Sequence, residues 1–166
     1  MISKVKSKIV ILTINTFLKG TRFFKIKNKL LNWCGYSIGY NTKVVGPINM
    51  PININLCIGD NCWIGRSFTI DGNGTVEIMN NVDIGPEVLI STGSHKIGNR
   101  DRRAGIGKTL RTTIEEGCWI GTRSLIIEGA NISSGSVVGA GTIVNRTMEK
   151  DSLILGASSK VIRKLI

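Results

Sequence analysis

An aliphatic residue returns every six positions along much of this chain. From Ile114 it recurs at Ile120, Ile126, Ile132, Val138 and Val144. Small residues stand two places before these positions, at Cys118, Ser124, Ala130, Ser136 and Thr142, and Gly121 and Gly139 directly follow two of the aliphatics. An earlier block repeats the rule at Ile52, Ile58, Ile64, Ile70 and Val76, with Gly59 and Gly65 following. A slip of two residues then starts a new phase at Ile78, Ile84 and Ile90, and isolated matches stand at Ile38-Gly39 and Val44. A period of six suits neither an amphipathic helix nor a half-buried strand. It suits a chain that turns a corner every six residues and points one aliphatic side chain inward from each flat side. The position two before it also points inward, but near the corner, where only small side chains fit. Glycine beside the aliphatic residue allows corner angles with positive φ. Three sides, about 18 residues, close one triangular coil, and stacked coils bury a continuous aliphatic column that no single coil could bury alone. Six consecutive in-phase aliphatics with matching small residues weigh against chance periodicity in a Val/Ile/Gly-rich sandwich.

Charge divides the chain. Residues 1–59 carry nine basic residues and no acidic one; residues 60–166 carry 13 basic and 11 acidic. The net charge of +11 therefore belongs to the N-terminal third. With 166 residues the chain is one domain's worth. Residues 1–34 are expected as a basic amphipathic helical segment and 35–166 as the coil. Helical spacing is visible in Ile2, Val5, Ile9 and Leu12, and again in Val10, Ile14, Phe17 and Leu18. Two readings of residues 1–31 stay open: a membrane-surface element, or a cap over the exposed strand edges of the first coil. No apolar run reaches the ~18 residues that span a bilayer, and no A-x-A-like site follows the run Ile9–Ile14, so no cleavage is expected.

Other classes of function fall to simple counts. There is one histidine, so a metal site built from several imidazoles within one chain is not available; no metal is expected. Four cysteines without C-x-x-C spacing read as reduced thiols of a cytoplasmic protein. Aromatic residues are thin for nucleic-acid stacking, and none is expected to bind.

The repeat stops after Ile90 and resumes at Ile114. The excursion, placed at 95–111, holds the only histidine, His95, and five basic residues from Lys96 to Lys108. A long excursion from a rigid coil is a common place for function. An imidazole there can take a proton from a hydroxyl and return it to a leaving group.

These residues resemble the hexapeptide-repeat acyltransferases. Ser91-Thr92-Gly93-Ser94-His95 is similar to the T-x-G-H segment of galactoside and maltose O-acetyltransferases, and the group extends to polysaccharide O-acetyltransferases. Gly156-Ala157-Ser158-Ser159-Lys160-Val161-Ile162-Arg163 is similar to their G-x-P-x-[RK]-V-I-[RK] ending, with Ser158 where proline is usual. The resemblance covers about residues 36–166. It implies an all-β fold, a left-handed parallel β-helix of hexapeptide repeats, with the N-terminal helical segment and a short C-terminal helix. It implies an O-acetyltransferase that moves acetyl from acetyl-CoA to a saccharide hydroxyl without a covalent intermediate. His95 is then the general base and the backbone N–H of Thr122 the oxyanion donor. Cys118 belongs to the core. Trp119, Ala140, Asn145, Arg146, Lys160 and Arg163 match cofactor-binding positions. Asp71 and Asn73, in the irregular IDGNG stretch, and Arg102 are candidates for the acceptor. The resemblance also implies a homotrimer with each site between two subunits. A membrane-facing N-terminal segment would suit acetylation of lipid- or nucleotide-linked sugars in surface or capsular polysaccharide or lipopolysaccharide assembly, with the enzyme at the inner face of the membrane. The alternatives are N-acetylation of an amino sugar or another small acceptor, and a non-catalytic solenoid scaffold.

Overall fold

The computed structural model describes residues 2–157 and 160–164, with side chains for 5–157. Every hexad that the repeat marks from Ile114 onward becomes one side of a triangular prism. Three parallel sheets form its faces. The first stacks Ser37–Ile38, Asn55–Ile58, Thr75–Ile78 and Arg111–Ile114, and single bridges extend it to Ile132 and Met148. The second runs from Lys43–Val44 through Trp63–Ile64, Asp83–Ile84, Trp119–Ile120 and Val137–Val138 to Ser152–Leu155. The third stacks Ile48–Asn49, Phe68–Asp71, Leu89–Ser91, Leu125–Ile126 and Ile143–Val144. Register is strict: Ile64 lies over Ile84, Ile84 over Ile120, Ile120 over Val138, and Val138 over Ile154. The columns are sealed from water, as are the small corner residues Cys118, Ser124, Ala130, Ser136 and Thr142.

The early phase differs from the expectation. Ile52 is only half-buried and lies outside the columns; Ile54, Leu56 and Ile58 point inward instead. Val76 is buried, but as the second inward residue of its strand, beside Ile78. The cause is a longer third corner. From Ile70 the chain takes eight positions, through Asp71-Gly72-Asn73-Gly74, to reach Ile78. Coils above the excursion thus advance by 20 residues (Ile38 to Ile58 to Ile78), and those below it by 18 and then 16 (Ile114 to Ile132 to Met148). Gly74 is obligatory: a Cβ there would collide with the carbonyl oxygen of Leu110.

The N-terminal residues form two helices, α1 (Ile2–Thr16) and α2 (Phe24–Trp33), laid over the first coil. Val10 and Ile14 of α1 and Leu31 of α2 join the core. Three asparagine side chains satisfy the open strand edges, one per face. Asn32 accepts from the Ile38 N–H at 2.7 Å and donates to its carbonyl at 3.0 Å. Asn15 does the same for Ile48, at 2.9 and 2.7 Å. Asn28 donates to the Thr42 carbonyl at 2.7 Å.

The C-terminal end corrects the expected short helix. Lys160–Lys164 is a strand, antiparallel to Ser152–Leu155, with Lys160 opposite Leu155 and Arg163 opposite Leu153. An open edge of unpaired backbone groups is a ready template for such pairing. Among the described residues no helix is long and apolar enough to cross a membrane.

Candidate active site

The excursion is a β-hairpin rather than an irregular loop. Its strands, Gly93–Ile97 and Ala104–Thr109, pair antiparallel with His95 opposite Gly107 and a bulge between His95 and Ile97. It leaves the prism at the edge between the third and first faces. Thr92, fully buried, anchors its base: the hydroxyl donates to the Asp71 carbonyl at 2.9 Å and accepts from the Gly74 N–H at 3.0 Å. Ser94 donates to Glu128 Oε1 at 2.6 Å, one coil below. Residues 96–108 carry five cations against Asp101 alone, a positive field suited to an anionic ligand.

His95 is exposed on this hairpin, and its Nδ1 lies 2.9 Å from the Gly105 carbonyl oxygen. A carbonyl only accepts, so Nδ1 carries the proton in the neutral ring. Nε2 is then the basic nitrogen, and the bulged strand holds the ring orientation. Such a ring can take a proton at one defined atom.

A second cluster lies on the second face. Trp119 projects outward, 58% exposed, between Asp83 above and Val137 below. With Trp63, Val138, Leu153, Thr122 and Ala140 it lines an open, mostly apolar groove of about 590 Å³. Thr122 and Ala140 occupy successive corners where the second face meets the third. Each follows a glycine whose N–H pairs with the coil below, Gly121 to Val138 and Gly139 to Ile154. Among the described residues neither the Thr122 N–H nor the Ala140 N–H meets an acceptor. Two residues whose N–H groups meet no acceptor thus border an apolar channel. Pro86, which has no N–H, occupies the same corner one coil above, its carbonyl bonded to Arg123 as that of Thr122 is to Gly141.

The sequence candidates therefore separate. Asp71, Asn73, His95 and Arg102 gather at the edge that bears the hairpin: Asp71 lies opposite Ser91, and Asn73 Oδ1 accepts from Thr109 at 3.4 Å. Arg102 is at the hairpin tip, its N–H donating to Asn99. Asn145 and Arg146 lie on the same edge, below the hairpin. Trp119, Thr122 and Ala140 lie across the third face from them. Within one chain His95 and Thr122 do not meet. Lys160 and Arg163 extend the second sheet, and their side chains lie outside the described residues. Cys118 is in the core; burial pushes its thiol up to about 11, so it is no nucleophile near neutral pH. Sequence reasoning missed Gly105 and Glu128, and quoted Thr92 only as part of the Ser91–His95 segment.

Residues 111–146 match the family described as hexapeptide repeat of succinyl-transferase. The galactoside O-acetyltransferase of Escherichia coli is 32% identical over 129 residues, 78% of this chain and 64% of that protein. That of Lactococcus lactis is 27% identical over 111 residues, 67% of this chain and 54% of the relative. Among solved structures, a hexapeptide-repeat acetyltransferase of Vibrio cholerae superimposes with a TM-score of 0.85 at 25% identity, covering 99% of this chain and 91% of that one. The chain has the repeat and the fold of the hexapeptide-repeat acetyltransferases. Its coil is accordingly the left-handed parallel β-helix of that family. A galactoside acetyltransferase solved with coenzyme A gives a TM-score of 0.83 at 26% identity, over 99% of this chain and 81% of the other. The chain spans between 54 and 64% of the length of those two curated relatives.

Proposed function

We propose that this chain is an acetyl-CoA-dependent O-acetyltransferase acting on a saccharide hydroxyl. The observation that carries the reading is the bond between His95 Nδ1 and the Gly105 carbonyl, which leaves Nε2 as the base. Nε2 takes the proton of the acceptor hydroxyl as its oxygen attacks the thioester carbonyl. The Thr122 N–H, without an acceptor in the described protein, receives the negative charge on the carbonyl oxygen. Collapse breaks the C–S bond, and the imidazolium returns the proton to the thiolate. The groove beside Trp119, Val137 and Leu153 suits the pantetheine arm, and the Ala140 N–H suits one of its amide oxygens. Asn145, Arg146, Lys160 and Arg163 are the proposed further contacts to the cofactor, with Lys160 and Arg163 toward its phosphates. Asp71, Asn73 and Arg102 face the acceptor. Because His95 and Thr122 lie on different edges of one prism, the complete site forms between neighbouring subunits of a homotrimer. Surface-polysaccharide assembly is the setting this reading favours, with acetyl-CoA drawn from the cytoplasm.

The test is thiol release from acetyl-CoA across a panel of sugars and nucleotide sugars. His95→Ala is expected to lower kcat by about 10²–10⁴-fold with little change in KM for acetyl-CoA. Equal turnover by the variant would remove His95 from the mechanism.

A further inference from the structure

The helical cap has two faces, and only one is used. Toward the coil it buries Val10, Ile14 and Leu31. Away from it, large apolar side chains stand in water: Val5, Ile9, Leu12 (66% exposed), Phe17 (77%), Phe23 and Trp33 (60%). Val5, Ile9 and Leu12 follow helical spacing on the side of α1 opposite Val10 and Ile14, so they form a stripe and not scattered exposures. Lys6 Nζ sits 4.6 Å from the Trp33 ring centroid, which places the end of α2 beside the start of α1 and makes one surface of the two helices. Exposed cations border it: Lys8, Lys19, Arg22, Lys25 and Lys29. No acidic residue precedes Asp60, so nothing within the segment neutralises them.

Contiguous exposed apolar surface marks a binding face. The occupant must accept apolar side chains and carry negative charge over a broad area. A protein groove could meet the first demand, and a nucleic acid the second. An anionic lipid surface meets both, because helices lying in the interface sink apolar groups to the acyl boundary and keep lysines at the headgroups. We propose that the outer face of α1 and α2 docks on an anionic membrane surface, with the prism axis standing away from it. This placement does not depend on the acetyl-transfer reading, since none of these residues borders the hairpin or the groove.

The test is co-sedimentation of the full chain with vesicles of pure phosphatidylcholine and with vesicles about one quarter phosphatidylglycerol. Binding is expected only to the second. Lys8→Glu/Lys19→Glu/Arg22→Glu should weaken partitioning by about 100-fold or more, and Leu12→Ser/Phe17→Ser by about tenfold or more. Both variants alter exposed side chains; circular dichroism and thiol-release activity on a water-soluble acceptor should match the parent. Absence of binding to the anionic vesicles overturns the proposal. So does binding that the Leu12→Ser/Phe17→Ser variant retains in full, which would make the face a general polyanion surface. A fall in oligomer size in either variant, without vesicle binding by the parent, would assign the face to a second copy and equally overturn it.

Discussion

The Gly105 carbonyl decides which nitrogen of His95 can act as a base, and it does so with one hydrogen bond of 2.9 Å. The histidine could be singled out in the sequence because it is the only one; its tautomer could not, because the partner sits ten residues away across a bulge. Lys27 shows the same limit more sharply. In the sequence it is one of eight cations among residues 1–31, yet it is fully buried. Its ammonium donates to the Gly20 carbonyl at 2.8 Å and lies 4.7 Å from the Phe24 ring centroid. Burial lowers its pKa from 10.5. Between the lowered value and 10.5 the unfolded chain holds the extra proton, so this group makes stability rise as pH rises through that window. Lys27→Met removes the contribution. Stability of the parent minus that of the variant, from urea titrations, is expected to increase as pH rises toward 10.5. A flat difference would mean that the ammonium is as well solvated folded as unfolded.

At the scale of elements, what most needs explaining is how an open stack of coils is ended. The first coil presents an unpaired strand edge on each face, and Asn15, Asn28 and Asn32 place a carboxamide on all three. A carboxamide carries the same donor and acceptor as a peptide group, so Asn15 and Asn32 substitute for the missing strand with both, while Asn28 supplies the donor alone. Asn15→Ala and Asn32→Ala are each expected to cost about 1–2 kcal/mol in urea denaturation, because a backbone pair loses both partners. Unchanged midpoints would show that water replaces the carboxamide without loss. The asparagines were legible only as polar residues of helices, since nothing local says what they face. The hairpin was equally hidden. Gly93–Ile97 and Ala104–Thr109 are exposed on both sides and show no apolar alternation. The final strand departs from the expected helix for a related reason: Lys-Val-Ile-Arg-Lys is compatible with either, and the open edge of Ser152–Leu155 selects the strand.

On the scale of the whole molecule, His95 and Thr122 lie on different edges of the prism, so the proposed site needs two subunits. The hairpin leaves one edge of the prism, and the unpaired corner N–H groups lie on another. This geometry makes a testable statement about assembly. Pro86 already occupies the corner equivalent to Thr122, so Thr122→Pro removes one N–H at a position where the coil accepts proline. His95→Ala and Thr122→Pro chains are each expected to be nearly inactive. Unfolded together in equal amounts and refolded, they should recover about one quarter of parental activity, because one site in four combines an intact His95 with an intact Thr122 from a neighbour. A mixture no more active than its components would place both groups in one chain's site.

Periodicity alone determined the solenoid, its three columns and the burial of Cys118, because a six-residue spacing of one aliphatic side chain repeats a local decision: inward here, corner next. It also marked where the coil is interrupted and which imidazole lies in the interruption. The tertiary structure decided the rest. The early coils advance by 20 residues, and glycine is required at 74 because the Leu110 backbone from a later coil lies against it. The cap turns its apolar stripe outward because Val10 and Ile14, not Val5 and Leu12, meet the first coil. His95 receives its orientation from Gly105, and Thr122 its unpaired N–H from its place at a corner. Each of these depends on backbone groups from distant turns of the coil, and a sequence pattern records the side chains that face a neighbour without recording which neighbour is there.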